Sequence, residues 1–359
     1  MKSLLTCVLA CCITMVAESQ SFTLRGKVTD QQSGQALTGA SVVCQHTTIG
    51  TTTNAEGLFS LNLPEGGYDL AVTFSGYETF TLRISAQTAS GAPLEINLRQ
   101  KEKQMEEVAI TVSNEVKDGW TKYGGFFQEQ FIGKTPNSVR CVIENPETLR
   151  FFYNKKKNRL KVTAREELRI RNEALGYMVR YQLDSFVHEY ASGATLSTGF
   201  PLFEEMTGND EQKATWAVNR EKAYYGSMLH FMRCYYDSTL GENSYRLERV
   251  DSKSGKTRLL GNPYDSTLYS RDEMGNVDLS LNGQIRIVYA QEKPEPSYLE
   301  QQKLSAATTI QISVVDFPAL LTIEENGYFF DQKEILAFGY WGWEKAGDFL
   351  PYNYEPSGN

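Results

Sequence analysis

With 359 residues, 41% of them hydrophobic and 22% charged, the chain has an ordinary globular composition, neither disordered nor fibrous. Its length points to about two domains. A formal net charge of −8 provides no basic stripe of the sort that tracks a phosphate backbone, so nucleic acid is excluded as the expected partner.

The chain opens on a targeting pattern. Lys2 supplies a positive start, residues 4–17 are apolar and uncharged, and Ala17-Glu18-Ser19 is a small-x-small cleavage sequence. Residues 1–19 are therefore expected to be a signal peptide, with the mature chain beginning at Gln20 and exported to the periplasm or to the outer membrane. One alternative is a lipoprotein signal with Val8-Leu9-Ala10-Cys11 as lipobox, which leaves few apolar residues before Cys11. Another is a buried helix of the mature protein, although no amphipathic face is visible. The run is short for a membrane span, and no other stretch is long and apolar enough to be one. Cys7, Cys11 and Cys12 would leave with this segment. Cys44, Cys141 and Cys234 remain; an odd, widely spaced set is no disulfide framework, and each is expected to be a small buried apolar residue.

Between residues 22 and 98 apolar and polar residues alternate repeatedly. Phe22, Leu24, Gly26 and Val28 form one such row, and Phe59, Leu61 and Leu63 another. Tyr68, Leu70, Val72 and Phe74, then Phe80, Leu82 and Ile84, then Leu94, Ile96 and Leu98 continue the pattern. A period of two means strands with one buried face and one wet face. Turn residues separate them at 30–34, 54–57, 64–67 and 75–76, as in an all-β sandwich. The stretches GKVTDQQSGQALTGASVVC and TTTNAEGLFSLNLPEGGYDLAVTFSGYE resemble the carboxypeptidase regulatory-like family, a transthyretin-like sandwich. That resemblance covers residues 20–100 and implies a structural or interaction module. It does not imply peptidase chemistry. A zinc peptidase needs three protein ligands around an open metal position. The chain has only His46, His188 and His230, with no HExxH. No metal or cofactor is expected, and the protein is expected not to be a zinc carboxypeptidase.

Residues 101–119 are charged and then briefly β-like, and are expected to be a linker. Within them MEEVAITV resembles the segment that follows this sandwich in TonB-dependent outer-membrane receptors, yet too few residues follow for a plugged barrel. Residues 120–359 mix periods. Residues 120–131 suit a helix. LRFFYN and RLKVTAR suit strands joined by Lys155-Lys156-Lys157-Asn158-Arg159, a solvated hairpin tip with a lipid or lipopolysaccharide contact as the functional alternative. GYMVRYQLDSFVHEY suits a long strand. Asp210 is expected to cap a helix through Trp216, Arg220 and Tyr224, and Gly226-Ser227 to break it before a second helix, SMLHFMRCYYDS. Hairpins are expected at Asn282-Gly283, between VDLSL and QIRIVY, and at Asn326-Gly327, between LLTIEE and YFF. Helices bunched among many strands predict an α+β domain with a largely antiparallel sheet. RNEALGYMVRYQLDSF, AYYGSMLHFMRC and GYWGWEKAGDFLPYNYEP are similar to a family of bacterial proteins that carry this sandwich at the N-terminus. That implies architecture and envelope location, but no reaction.

Most motifs of chemistry are missing. Gly255-Lys256-Thr257 ends like a phosphate-binding loop, but the required earlier glycine is Val250, so residues 251–256 are read as a polar turn. No GxSxG elbow occurs. The one suggestive constellation is Arg220, Tyr224, Ser227, His230 and Arg233. His230 and Arg233 share a helix face, and together the set suits a carboxylate or phosphate, or else a buried polar clamp. Trp341 and Trp343 are candidates for stacking on sugar rings, or for core packing. The expectation is a non-enzymatic envelope protein acting in binding or assembly, with an envelope protein or a glycan as partner and outer-membrane association possible. The alternatives are an enzyme with its site near Arg220, His230 and Arg233, and a glycan-binding protein.

Overall fold

In the computed structural model, residues 21–64, 66–100, 114–330 and 335–357 are described. The expected signal peptide at residues 1–19 and the MEEVAITV stretch lie outside these residues.

The N-terminal alternation builds seven strands in two sheets. They are β1 (Ser21–Asp30), β2 (Ser41–Cys44), β3 (Gly50–Thr52), β4 (Leu58–Pro64), β5 (Tyr68–Thr73), β6 (Phe80–Ile84) and β7 (Leu94–Leu98), with a one-turn helix α1 (Ala86–Ala89) before β7. One sheet runs β4-β1-β7 and the other β3-β2-β5-β6. The inward residues Leu24, Val28, Val42, Phe59, Leu61, Leu63, Leu70, Val72, Ile84, Ile96 and Leu98 fill the space between them. β7 pairs with β1 in parallel. Asp30 organises that end of the sandwich. Its Oδ1 accepts the amides of Gln32 and Ser33 at 2.9 and 2.7 Å, and its Oδ2 accepts the Tyr77 hydroxyl at 2.7 Å. The Tyr77 hydrogen bond, foremost, holds the carboxyl well below its usual range.

The C-terminal region starts before its first helix. The amide of Val116 donates to Phe151 O at 2.8 Å, and Glu115 pairs with Arg150. The end of the expected linker is thus packed against a sheet edge. Helix α2 (Gly119–Phe131) then lies on a sheet of six strands: β8 (Cys141–Ile143), β9 (Leu149–Asn154), β10 (Arg159–Ala164), β11 (Leu168–Asn172), β12 (Tyr177–Glu189) and β13 (Ala194–Glu205). The long β12 is central, with β13 along one side and β11 and β10 end to end on the other. Phe127 and Phe131 of α2 pack against Phe151, Phe186 and Tyr181.

Two helices follow, α3 (Asp210–Tyr224) and α4 (Met228–Tyr236). The remaining elements are β14 (Tyr245–Val250), β15 (Thr257–Leu259), β16 (Tyr269–Arg271), β17 (Val277–Leu279), β18 (Gly283–Tyr289), α5 (Pro296–Gln301), β19 (Gln311–Phe317), β20 (Leu321–Ile323), β21 (Leu336–Gly339) and α6 (Tyr340–Trp343). They make a sheet β15-β14-β18-β19-β21 and a smaller one β16-β17-β20, every pair antiparallel. The molecule is a β-sandwich followed by an α+β domain, as the patterning implied. Cys44, Cys141 and Cys234 are buried free thiols, each pushed up to about 12 by burial.

Two local expectations are corrected. Asn209, not Asp210, caps α3. Its side chain accepts the Gln212 amide at 2.9 Å while the Gln212 side chain accepts the Asn209 amide at 3.0 Å, a reciprocal box that only a residue three before Gln212 can close. Asn282-Gly283 is not a hairpin. Both residues take positive φ, as a tight turn requires, but β17 belongs to the small sheet and β18 to the large one. Leu281 is fully buried, and Arg249 binds the carbonyls of Leu281 and Asn282 at 2.8 and 2.9 Å, so the turn becomes a corner between sheets. At Asn326-Gly327 the chain does reverse, with the Glu324 amide donating to Tyr328 O at 2.8 Å.

Candidate functional site

The constellation forms where α3 turns into α4. Gly226, at φ +82, allows a bend in which a Cβ would strike Tyr289 and Gln311. Ser227 then caps α4, its Oγ accepting the His230 amide at 3.2 Å. His230 is 3% exposed among Tyr224, Tyr225, Tyr245 and Tyr289. Its Nδ1 accepts the Gly226 amide at 3.2 Å and lies 3.0 Å from the Tyr245 hydroxyl. Burial depresses its pKa to about 4, which keeps the ring neutral. The side chain is sealed inside the fold, where no solute reaches it.

Arg233, about one turn on, also touches Tyr224 but reaches the C-terminal tail. Its Nε donates to Asn326 O at 3.1 Å, Nη1 to Tyr354 O at 2.9 Å and Nη2 to Tyr352 O at 2.9 Å. The Tyr224 hydroxyl accepts a longer bond of 3.5 Å, and Glu355 lies 3.4 Å away. One guanidinium therefore ties α4 to the β20 turn and to the C-terminal tail. α3 works in the same way. Trp216 Nε1, Asn219 Nδ2, Arg220 Nε and Arg220 Nη2 donate to the carbonyls of Glu173, Ala174, Leu175 and Gly176, at 3.0, 2.8, 2.7 and 3.2 Å. These are four consecutive carbonyls of the β11–β12 turn, saturated by one helix face.

Arg220 also lies over the Tyr177 ring, 3.9 Å from its centroid, and binds Glu205 at 2.9 Å. It is the member of the constellation that reaches an open space. A cleft of about 260 Å³ is lined by Arg220, Glu205, Thr48, Asn353, Tyr354 and Glu355, among others. Its walls offer hydrogen bonds and opposed charges, with no nucleophile set against a base. Tyr224, Ser227, His230 and Arg233 do not line it. Trp341 and Trp343 are each 7% exposed, so neither offers a face to a sugar ring. Trp341 donates to Gly226 O at 2.6 Å and packs on Phe231, while Trp343 donates to Gln301 at 2.9 Å and packs on Tyr298 and Tyr340. His46, His188 and His230 sit in separate surroundings. Among the described residues no three His, Cys, Asp or Glu side chains converge as metal ligands would.

No local pattern of residues marks the joint between the two domains. Residues 46–48 of the sandwich bind the edge of β13, His46 N to Pro201 O at 2.7 Å and Phe203 N to Thr47 O at 2.9 Å. The tail closes over them. Tyr352 N donates to His46 O at 2.7 Å, and Asn353 and Thr48 exchange bonds of 3.0 and 2.6 Å. On a second side Glu324, 6% exposed, accepts the Gly67 amide at 3.0 Å and pairs with Arg83, which lies 3.8 Å over the Tyr328 ring. Tyr328 in turn donates to Asp69 at 2.7 Å. These residues are dispersed through the chain in unremarkable contexts. Only the positive φ of His46, unusual for a non-glycine residue, is a local peculiarity, and it is visible only in the backbone.

Residues 24–110 match the CarboxypepD_reg-like domain family, ten residues further than the boundary read from alternation at residue 100. A 93-residue stretch is 25% identical to the TonB-dependent receptor P3 of Formosa agariphila, covering 26% of this chain and 9% of that protein. A 116-residue stretch is 30% identical to the TonB-dependent receptor SusC of Bacteroides thetaiotaomicron, covering 32% of this chain and 11% of that protein. The chain thus spans about a tenth of the length of these curated relatives. Residues 24–110 carry a carboxypeptidase regulatory-like domain, and the similarity to the two TonB-dependent receptors covers 26% and 32% of the chain.

Proposed function

We propose that this carboxypeptidase regulatory-like protein is a non-enzymatic component of the cell envelope, periplasmic or attached to the outer membrane, that acts in binding or assembly. The observation that carries the proposal is where the polar side chains of the constellation are directed. Arg233 and Arg220 donate to backbone carbonyls of their own chain, and His230 is neutral and sealed. Such groups fix segments of chain in place. A catalytic site needs groups that face a substrate with a nucleophile, acid or base within hydrogen-bond reach. The sandwich, fastened to the second domain by backbone bonds on one side and a partly buried ion pair on another, supports a rigid platform. A small polar ligand in the Arg220 cleft is the second reading, favoured by the open position of that one arginine.

Two measurements test the proposal. Purified protein assayed against peptidase, esterase, glycosidase and phosphatase substrates should give no turnover above buffer. Turnover abolished by Arg220→Lys in a protein that melts normally would overturn it. Fractionation of the native host should recover the chain from the envelope with its N-terminus at Gln20. A cytoplasmic chain retaining Met1 would overturn the envelope assignment.

A further inference from the structure

The lysine run has no work inside the fold. Lys155, Lys156 and Lys157 are exposed at the tip of the β9–β10 hairpin, and among the described residues none has a carboxylate at ion-pairing distance. The turn itself is made by other groups. Asn154 Oδ1 accepts the Lys157 amide at 3.0 Å, and Asn158 supplies the positive φ.

This tip is held rigid against a second one. Tyr153 donates to Asn158 Oδ1 at 2.7 Å, and the Tyr190 amide donates to Asn158 O at 3.1 Å, which joins the hairpin to the β12–β13 turn at residues 190–193. Tyr153 and Tyr190, both half-buried, stand edge to face with centroids 6.1 Å apart. Directly paired residues on neighbouring strands share a face. The row Lys161, Val187, Leu196 therefore lies on one side of the sheet beneath the tips, and Leu196 is 50% exposed.

Charge decides what this surface fits. Residues 153–161 and 187–196 contain five cations (Lys155, Lys156, Lys157, Arg159 and Lys161) against one carboxylate, Glu189, which pairs with Arg159 at 3.3 Å. The local balance is +4, from five less one, on a chain whose total is −8. Solubility alone would be served by either sign. A convex pair of tips offers no cup for a single phosphate. It does present several ammonium groups to a flat partner, with the exposed Leu196 on the sheet face away from α2. We infer that the paired tips are a docking surface for an anionic phospholipid bilayer.

An ammonium close to an anionic membrane adds about 1 kcal/mol, roughly fivefold in binding, and the attraction is screened within a Debye length of about 8 Å at physiological salt. The full chain should therefore float with phosphatidylcholine vesicles containing phosphatidylglycerol, and should be released by high salt. Replacing Lys155, Lys156 and Lys157 together by alanine should weaken binding about a hundredfold, and Lys155→Glu alone by more than tenfold. The paired substitution of Lys253 and Lys256 by alanine, at another exposed turn, should leave binding unchanged. Thermal melting would establish that each variant is folded. Equal binding to pure phosphatidylcholine vesicles, tighter binding to double-stranded DNA, or undiminished binding by either tip variant would overturn the inference.

Discussion

Arg233→Ala is the most informative single change. The guanidinium is 8% exposed and satisfies three backbone carbonyls, those of Asn326, Tyr352 and Tyr354, at 2.9–3.1 Å. Hydrogen bonds from a charged group contribute about 1.5–3 kcal/mol each, and a buried acceptor left unpaired costs about 1–3 kcal/mol. Summing three such bonds would overshoot, because water can enter the vacated space beside exposed Glu355. A loss of about 3–5 kcal/mol in urea unfolding is expected, the range for removing one partner of a buried polar clamp. The loss should also be directional. Tyr352 and Asn353 fasten the tail over His46 and Thr48, so hydrogen exchange should rise at the amides of Tyr352 and Thr48 more than within β12. Arg233→Lys keeps the charge but cannot reach three carbonyls in a fixed fork, and should recover only part of the stability. If Arg233→Ala stays within about 1 kcal/mol of the parent, with the tail amides still protected, the clamp is not what holds the tail.

Three further outcomes are expected. His230 has a folded pKa of about 4 against an unfolded value of 6.5, so the stability from its neutral form is complete above pH 6.5 and is lost as pH falls toward 4. Relative to His230→Asn, the parent should lose about 2 kcal/mol between pH 7 and pH 5 in matched urea titrations, and a pH-independent difference would refute this. Comparison with the variant matters because Asp348, pushed up to about 6 by burial, changes stability in the opposite sense over part of that window. Gly176→Ala should cost about 2–4 kcal/mol by thermal melting, since φ is +70 and a Cβ would run into the Trp216 ring; an unchanged melting curve would mean that the turn can shift. Glu324→Gln removes the charge opposite Arg83 but keeps an acceptor for Gly67, and should destabilise by about 1–3 kcal/mol while the Gly67 amide exchanges faster; an unaltered exchange rate at Gly67 would dissociate Glu324 from the joint.

Local pattern was enough for β1 and β4 to β7 of the sandwich and, in the second domain, for α2, β9, β10, β12, α3, α4, β17, β18 and β20. Alternation of the Leu24–Val28 and Phe59–Leu63 kind can bury its apolar residues in only one way, because a one-residue slip would turn each to water. The break at Gly226-Ser227 was likewise legible, since a glycine with positive φ and a serine cap are local requirements. The turn at Asn282-Gly283 shows the limit. Its dihedrals suit a hairpin, and the sequence carries that much, but the partner of each flanking strand is chosen by Leu281 burial and by Arg249 from a distant strand. The site residues divide along the same line. Helical spacing put His230 and Arg233 on neighbouring turns, and chemistry said that a buried arginine must find acceptors. Only the tertiary structure decided that those acceptors are main-chain carbonyls of the tail and the β20 turn, that Trp341 and Trp343 face inward, and that His46, Thr48 and Glu324 join the two domains. Periodicity and turn chemistry act over a few residues and are written locally. A carbonyl more than a hundred positions away becomes a partner only when every intervening element has been placed.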